Sequence, residues 1–143
     1  MKIADIIRNN LSLRENLNCA ESILRAANDD LGLGLSPEAL RLASGFGGGM
    51  NIGHACGALT GAVMVLGFLY VKEKAHESER IKEITRRFIA DFEKVYGTIM
   101  CEPIKEAHRH PEYKCTSVIL TSAELLEELL RSDPPENVVL PRD

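Results

Sequence analysis

Strand-like alternation of apolar and polar residues is nearly absent from this chain of 143 residues, which leaves little material for a sheet and points to helices. There is no marked excess of one charge either. The net charge of −4 is mild, and the one local basic cluster, Arg86-Arg87, sits among Glu79, Glu83 and Asp91 as on a solvated helix face. Nucleic acid is therefore not an expected partner. The stretch from Met1 to Asn10 lacks the apolar run and small-residue cleavage site of a secretory signal, so the expected location is the cytoplasm. No Cys-x-x-Cys occurs, and the long gaps between cysteines assign no pairs. No Ser/His/Asp arrangement or facing pair of carboxylates emerges as a catalytic candidate, and Glu102 and Glu106 receive no role.

Apolar residues make up 45% and charged residues 27%, the balance of a globular protein long enough to fold as one domain. That domain is expected over 1–132, followed by a flexible tail over 133–143. The periodicity predicts an all-α bundle of five to six helices around one central apolar helix. Asn18 and Glu21 resemble a capping box, and Ala20, Ile23, Leu24, Ala27 and Leu31 then share one apolar face. Ser36-Pro37 reads as a cap and first helical residue of a short helix ending near Ser44. A further helix places Ile81, Ile84, Phe88, Phe92 and Val95 on one side and a Glu83–Arg87 pair on the other, and Gly97 ends it. Pro103 reads as the first residue of a short helix that Pro111 ends. The last helix opens at Thr116, carries Ile119, Ala123, Leu126 and Leu130, and stops at Pro134-Pro135.

Four cysteines, Cys19, Cys56, Cys101 and Cys115, each fall beside a predicted helix start. A helix N-terminus carries roughly half a positive charge and unpaired N–H groups, so it favours thiolate over thiol and makes a cysteine a better nucleophile or metal ligand. In a reducing compartment four such thiols suggest metal binding or redox chemistry more than a permanent disulfide framework. The competing reading is that each is a small buried hydrophobe.

Between Gly45 and Gly53, five glycines in nine residues preclude a helix interior, at about 1 kcal/mol each. The segment is not a phosphate loop: Met50 and Ile52 stand where a Gly-x-Gly-x-x-Gly pattern needs glycine, no strand precedes it, and no Gly-Lys-Ser/Thr follows. The apolar run from Ala55 to Val71 is at the lower limit for crossing a bilayer, yet Cys56, Thr60 and its amphipathic neighbours favour a buried central helix over a membrane anchor. Gly53, Gly57 and Gly61 form a smooth row for close approach of a neighbouring helix or a second subunit, and a homodimer is expected.

Asn18-Cys19-Ala20, the Ala43 to Met50 segment, Cys56-Gly57-Ala58-Leu59-Thr60-Gly61, Cys101 and Cys115 together resemble the four-cysteine family of redox-active proteins known by its C-GCAxxG-C-C pattern. The resemblance runs from about Asn18 to Leu130. It implies a largely helical redox protein, and a related module in split-Soret cytochromes implies an iron–sulfur cluster on the matching cysteines. Covalent haem is not expected, because Cys-x-x-Cys-His is missing. The favoured expectation is electron transfer with an unidentified redox partner through a cluster ligated by all four cysteines. Gly57 and Gly61 would pack closely around the ligands, and Gly47, Gly48 and Gly49 would offer backbone N–H groups to the site. The alternatives are a metal-free dithiol/disulfide protein in which the same cysteines act catalytically, and a structural zinc or helical interaction protein. His54 is a candidate tuner of the neighbouring thiol or a helix-start residue facing water, while His108 and His110 are expected on an exposed helix end.

Overall fold

A computed structural model describes residues 1–11, 16–136 and 138–142 of the chain. It is 69% helical, and among the described residues the only β-pairing is two isolated bridges, Ala55 with Met100 and His110 with Lys114. The expected all-α bundle is therefore the observed one. Seven α-helices are described, α1 (Ile3–Asn9), α2 (Cys19–Leu31), α3 (Pro37–Arg41), α4 (Gly57–Tyr70), α5 (Glu79–Tyr96), α6 (Cys101–His108) and α7 (Thr116–Ser132).

The central position of α4 follows from its composition, because it is apolar on nearly every side and must be covered all round. Nine of its fourteen residues are buried, and it packs against α2, α5 and α7. No helix among the described residues is long and apolar enough to cross a membrane. The amphipathic helices turn their stripes onto it: Ile23, Leu24 and Ala27 from α2, Ile84, Phe88 and Phe92 from α5, and Ile119, Ala123, Leu126 and Leu130 from α7 are all buried. Each large side chain so buried contributes about 1.5–3 kcal/mol relative to exposure. The Ser122 hydroxyl adds a buried bond to the Ala58 carbonyl at 2.7 Å, tying α7 to the first turn of α4.

The closest crossing is between α2 and α4. A Cβ placed on Gly61 would lie 2.6 Å from the Ala20 carbonyl oxygen, and one on Gly57 would lie 3.1 Å from the Cys19 Cβ. The glycine row is thus covered within the chain by α2, with Gly53 lying against Glu102. Gly57 and Gly61 thus serve the close approach of a neighbouring helix of the same chain.

Several boundaries differ from the sequence reading, each for an identifiable reason. Helix α6 begins at Cys101 rather than Pro103, since proline is tolerated anywhere in the first turn, where the N–H groups have no helical acceptor. Helix α3 ends at Arg41, and residues 42–45 continue as turns. Val95 is exposed. Arg87 donates to the Ser132 hydroxyl at 2.7 Å and lies 3.9 Å from the Asp133 carboxylate, across the bundle rather than along its own helix toward Glu83. Helix α1 forms because a distant group completes it: the buried Glu127 carboxylate accepts the Ala4 N–H at 2.9 Å. At the start of the expected tail, Arg80 pairs with Asp133 and donates to the Pro134 carbonyl, and the Tyr70 hydroxyl donates to the Asp133 carbonyl. Positions 137 and 143 of that tail lie outside the described residues.

The crossing makes a paired prediction. Gly61→Ala pushes a methyl group into the Ala20 backbone and is expected to destabilise by about 1–3 kcal/mol. Gly67→Ala, in the same helix but with open space at its Cβ, is expected to stabilise by about 0.5–1 kcal/mol. Urea unfolding of the two variants checks both signs.

Candidate functional site

Every cysteine occupies a helix start. Cys19 and Cys101 are the first residues of α2 and α6, and Cys56 and Cys115 are the capping residues of α4 and α7. Different local devices fix these four starts. At α2 the Asn18 side chain accepts the Glu21 N–H at 2.9 Å, while the Glu21 carboxylate accepts the Asn18 N–H at 3.1 Å. The Asn18 amide also donates to the Ser44 carbonyl at 2.8 Å, joining this cap to the glycine segment. The starts of α4 and α6 are laced to each other: the Cys56 N–H donates to the Ile99 carbonyl, and the Cys101 N–H donates to the His54 carbonyl. Before α7, His110 and Lys114 exchange backbone bonds at 2.8 and 2.9 Å. His110 Nδ1 accepts the N–H groups of Glu112 and Tyr113, and Lys114 closes the turn with a left-handed φ of 54°.

The glycine segment is a single left-handed turn. Gly48, Gly49, Met50 and Asn51 all have φ between 59° and 63°. For Met50 and Asn51 this conformation costs roughly 1–2 kcal/mol each. Only glycine fits at 49, where a Cβ would meet the His54 backbone and lie 2.7 Å from the Cys101 Cβ. Gly47 lies in the same way against the Asn18 side chain. The turn therefore connects the starts of α2, α4 and α6.

Cys19, Cys101 and Cys115 line one open cleft of about 730 Å³ together with Gly48. Cys56 is not on its walls. It is buried beside them, at 5% exposure, with its neighbour Gly57 against Cys19, and the charges of Cys101 and Cys115 act on its thiol. None of the four cysteines is in a disulfide. Of the expected glycines, Gly48 faces the cleft, whereas Gly47, Gly49, Gly57 and Gly61 act by admitting close neighbours. The His54 side chain is exposed, and it is the backbone of this residue that touches Cys101. His108 packs edge-on against Tyr96 with ring centroids 5.1 Å apart, and His110 is occupied in its turn.

The sequence reading missed the cations of this cleft. Among the described residues, Lys105, Arg109 and Lys114 line it, with Glu112 as the one acidic residue. A signal was present: Cys101, Lys105 and Arg109 recur every fourth residue and so share one helix face. It carried no meaning until the direction of that face was known.

Burial and the helix termini pull the thiols in opposite directions. Desolvation pushes Cys56 above the ordinary thiol value of 9.0, although the N–H groups of Ala58 and Leu59 at the start of α4 draw it down and the charges of Cys101 and Cys115 add to the rise. Desolvation also raises Cys101, with Cys115 as the next contribution and Lys105 and Arg109 opposing. The expected bias toward thiolate at helix starts is thus real but smaller than the cost of burying the charge. Half-buried Tyr96 is raised by desolvation too, and the charges of Cys56 and Cys115 reach it.

Among the described residues, no three His, Cys, Asp or Glu side chains gather closely enough to hold a single metal ion. The model of one protein family, "Putative redox-active protein (C_GCAxxG_C_C)", matches residues 17–129. A protein of Archaeoglobus fulgidus described as uncharacterized is 31% identical over 86 residues, which cover 59% of this chain. The chain spans 56% of that relative's length. No solved structure matches.

The raised thiols set a pH dependence for the reduced, metal-free protein. The folded state holds the Cys56 and Cys101 protons more tightly than the unfolded chain. The stability this contributes is complete below the unfolded thiol value and is lost as pH rises through the raised folded values. Urea unfolding should therefore show a lower midpoint at about pH 10 than at about pH 8, and a smaller drop in the Cys56→Ala/Cys101→Ala variant.

Proposed function

This chain belongs to the C_GCAxxG_C_C family of redox-active proteins, and from that premise we propose that its four cysteines together hold one iron–sulfur cluster through which electrons pass. The observation that carries the reading is the delivery of a cysteine by each of four helix starts to one region of the fold, three on the walls of a cleft and the fourth buried beside them. The donor set fits. Four thiolates complete the ligation of such a cluster, and when bound it supplies one-electron transfer at a potential set by its ligands and surroundings.

Zinc and a cluster ask different things of four thiolates. A structural zinc draws its sulfurs to about 2.3 Å from a single ion, whereas a four-iron cluster asks each cysteine for one iron and spreads the ligands apart. The chain's own residues prepare the site. Lys105, Arg109 and Lys114 offset the negative charge that thiolate ligands bring, burial keeps water from Cys56, and the left-handed turn keeps the starts of α2, α4 and α6 in register. Ligation requires Cys56 and Cys101 to lose protons that burial holds, so loading releases protons and is favoured by rising pH.

A second reading is a metal-free dithiol, favoured by one observation: Cys101 and Cys115 share the cleft, and Cys115 is the principal charge acting on Cys101. In that reading the two thiols lose two electrons and two protons to an oxidant as an S–S bond forms.

Anaerobic reconstitution with ferrous iron and sulfide separates the readings. The cluster reading expects a brown protein with about four irons per chain, and loss of most of the visible absorption on changing any of Cys19, Cys56, Cys101 or Cys115 to Ser. A colourless protein that loses two thiols on mild oxidation supports the dithiol instead. Uptake of one zinc without a chromophore overturns both.

A further inference from the structure

The charge of the cleft runs against the charge of the chain. Acidic residues outnumber basic ones by 21 to 17 over the whole sequence, yet among the described residues the cleft is lined by Lys105, Arg109 and Lys114 against Glu112. These three cations are exposed, and none forms an ion pair with a carboxylate among the described residues. Lys114 Nζ has only the Pro111 carbonyl, at 3.4 Å.

Two different elements bring the cations together. Lys105 follows Cys101 one turn along α6 and Arg109 caps that helix, while Lys114 ends the turn in which His110 Nδ1 accepts two backbone N–H groups. They stand beside the thiols of Cys19, Cys101 and Cys115. A cleft of about 730 Å³ is in the range of small-molecule sites.

We propose that this cleft binds a small oxyanion-bearing molecule, a carboxylate or phosphate compound, held by Lys105, Arg109 and Lys114 with its reactive end against the thiols. The role of that molecule as the redox reactant rests on reading the four cysteines as a redox site. Its binding does not. Lys105 and Arg109 from one side and Lys114 from another supply the cationic donors that a carboxylate or phosphate needs, and they outweigh the opposing charge of Glu112.

The test uses the reduced, metal-free full chain, so it is independent of any cluster. Three disulfide reagents of different charge are compared: anionic dithiobis(nitrobenzoate), neutral dithiodipyridine and cationic cystamine. In each reaction a protein thiolate attacks one reagent sulfur, the reagent S–S bond breaks, a mixed disulfide forms, and the other half leaves as a thiolate. Rates on the folded protein are divided by rates on the urea-unfolded chain, which removes intrinsic reactivity. The folded protein is expected to favour the anionic over the neutral reagent by about tenfold at low salt and to disfavour the cationic one, with the preference shrinking as salt shortens the screening length. Lys105→Gln/Arg109→Gln should abolish most of the preference, and Lys82→Gln, on the distant α5 surface, should leave it unchanged. Citrate and pyrophosphate, added as unreactive competitors, should slow the anionic reagent, and the stronger of the two identifies the oxyanion class.

Equal normalised rates for all three reagents would overturn the proposal. So would a preference that survives the double variant, or thiols that no small disulfide reaches in the folded state. None of these results touches the iron content measured on reconstitution, so failure of the anion site and failure of the cluster reading are separately visible.

Discussion

The close crossing of α2 and α4 is the contact on which the rest of the structure depends. With no Cβ at Gly57 or Gly61, the first turn of α4 lies directly against Cys19 and the Ala20 backbone. That contact brings two helix starts to the same end of the bundle, and with them two thiols. It also leaves the remaining sides of α4 to be covered by α5 and α7, which the Phe88, Phe92, Ile119 and Leu126 side chains do. A bundle whose centre is one wholly apolar helix has few other solutions, because any side of α4 left in water would forfeit burial energy.

Around this crossing the four helix starts are held by dissimilar means, and together they produce an unusual electrostatic setting. Each terminus offers N–H groups that would stabilise a thiolate, and at Cys56 those of Ala58 and Leu59 draw the thiol down. Yet removal from water raises both Cys56 and Cys101. A terminus contributes typically 0.3–1 kcal/mol to a nearby charge, while burial of a charge without a partner costs several times that. The protons therefore stay on these two thiols until a cation, such as a bound metal, replaces them.

Much of this was legible in the sequence, and the division between legible and hidden follows interaction range. The start of α2 was readable because Asn18 and Glu21 satisfy each other three residues apart, and α4 was readable because nothing polar interrupts its run. Helix α1 was not, since the group that completes it, Glu127, lies 123 positions away. The start of α6 was misplaced by two residues for the same reason: its first N–H finds the His54 carbonyl across the site, which no local pattern announces. Met50 and Asn51 gave no hint of a left-handed turn, because it is imposed by contacts at Gly47 and Gly49 rather than by their own preferences. The four cysteines could be picked out as a set from the family pattern, but the cations that accompany three of them could not.

The left-handed turn explains why such a site can be rigid at the end of a helical bundle, where chain ends and loops usually move. Met50 and Asn51 together carry roughly 2–4 kcal/mol of conformational cost, a sizeable part of the net stability of about 5–15 kcal/mol typical of a domain. A turn held at such a cost persists only where its surroundings over-determine it. Here they do: Asn18 binds the Ser44 carbonyl ahead of the turn and packs on Gly47 within it, and His54 and Cys101 close on Gly49. Relaxing the turn would break the registry of the α2, α4 and α6 starts at once. The strain and the thiol arrangement are therefore maintained by the same contacts, so the turn cannot relax without moving the thiols.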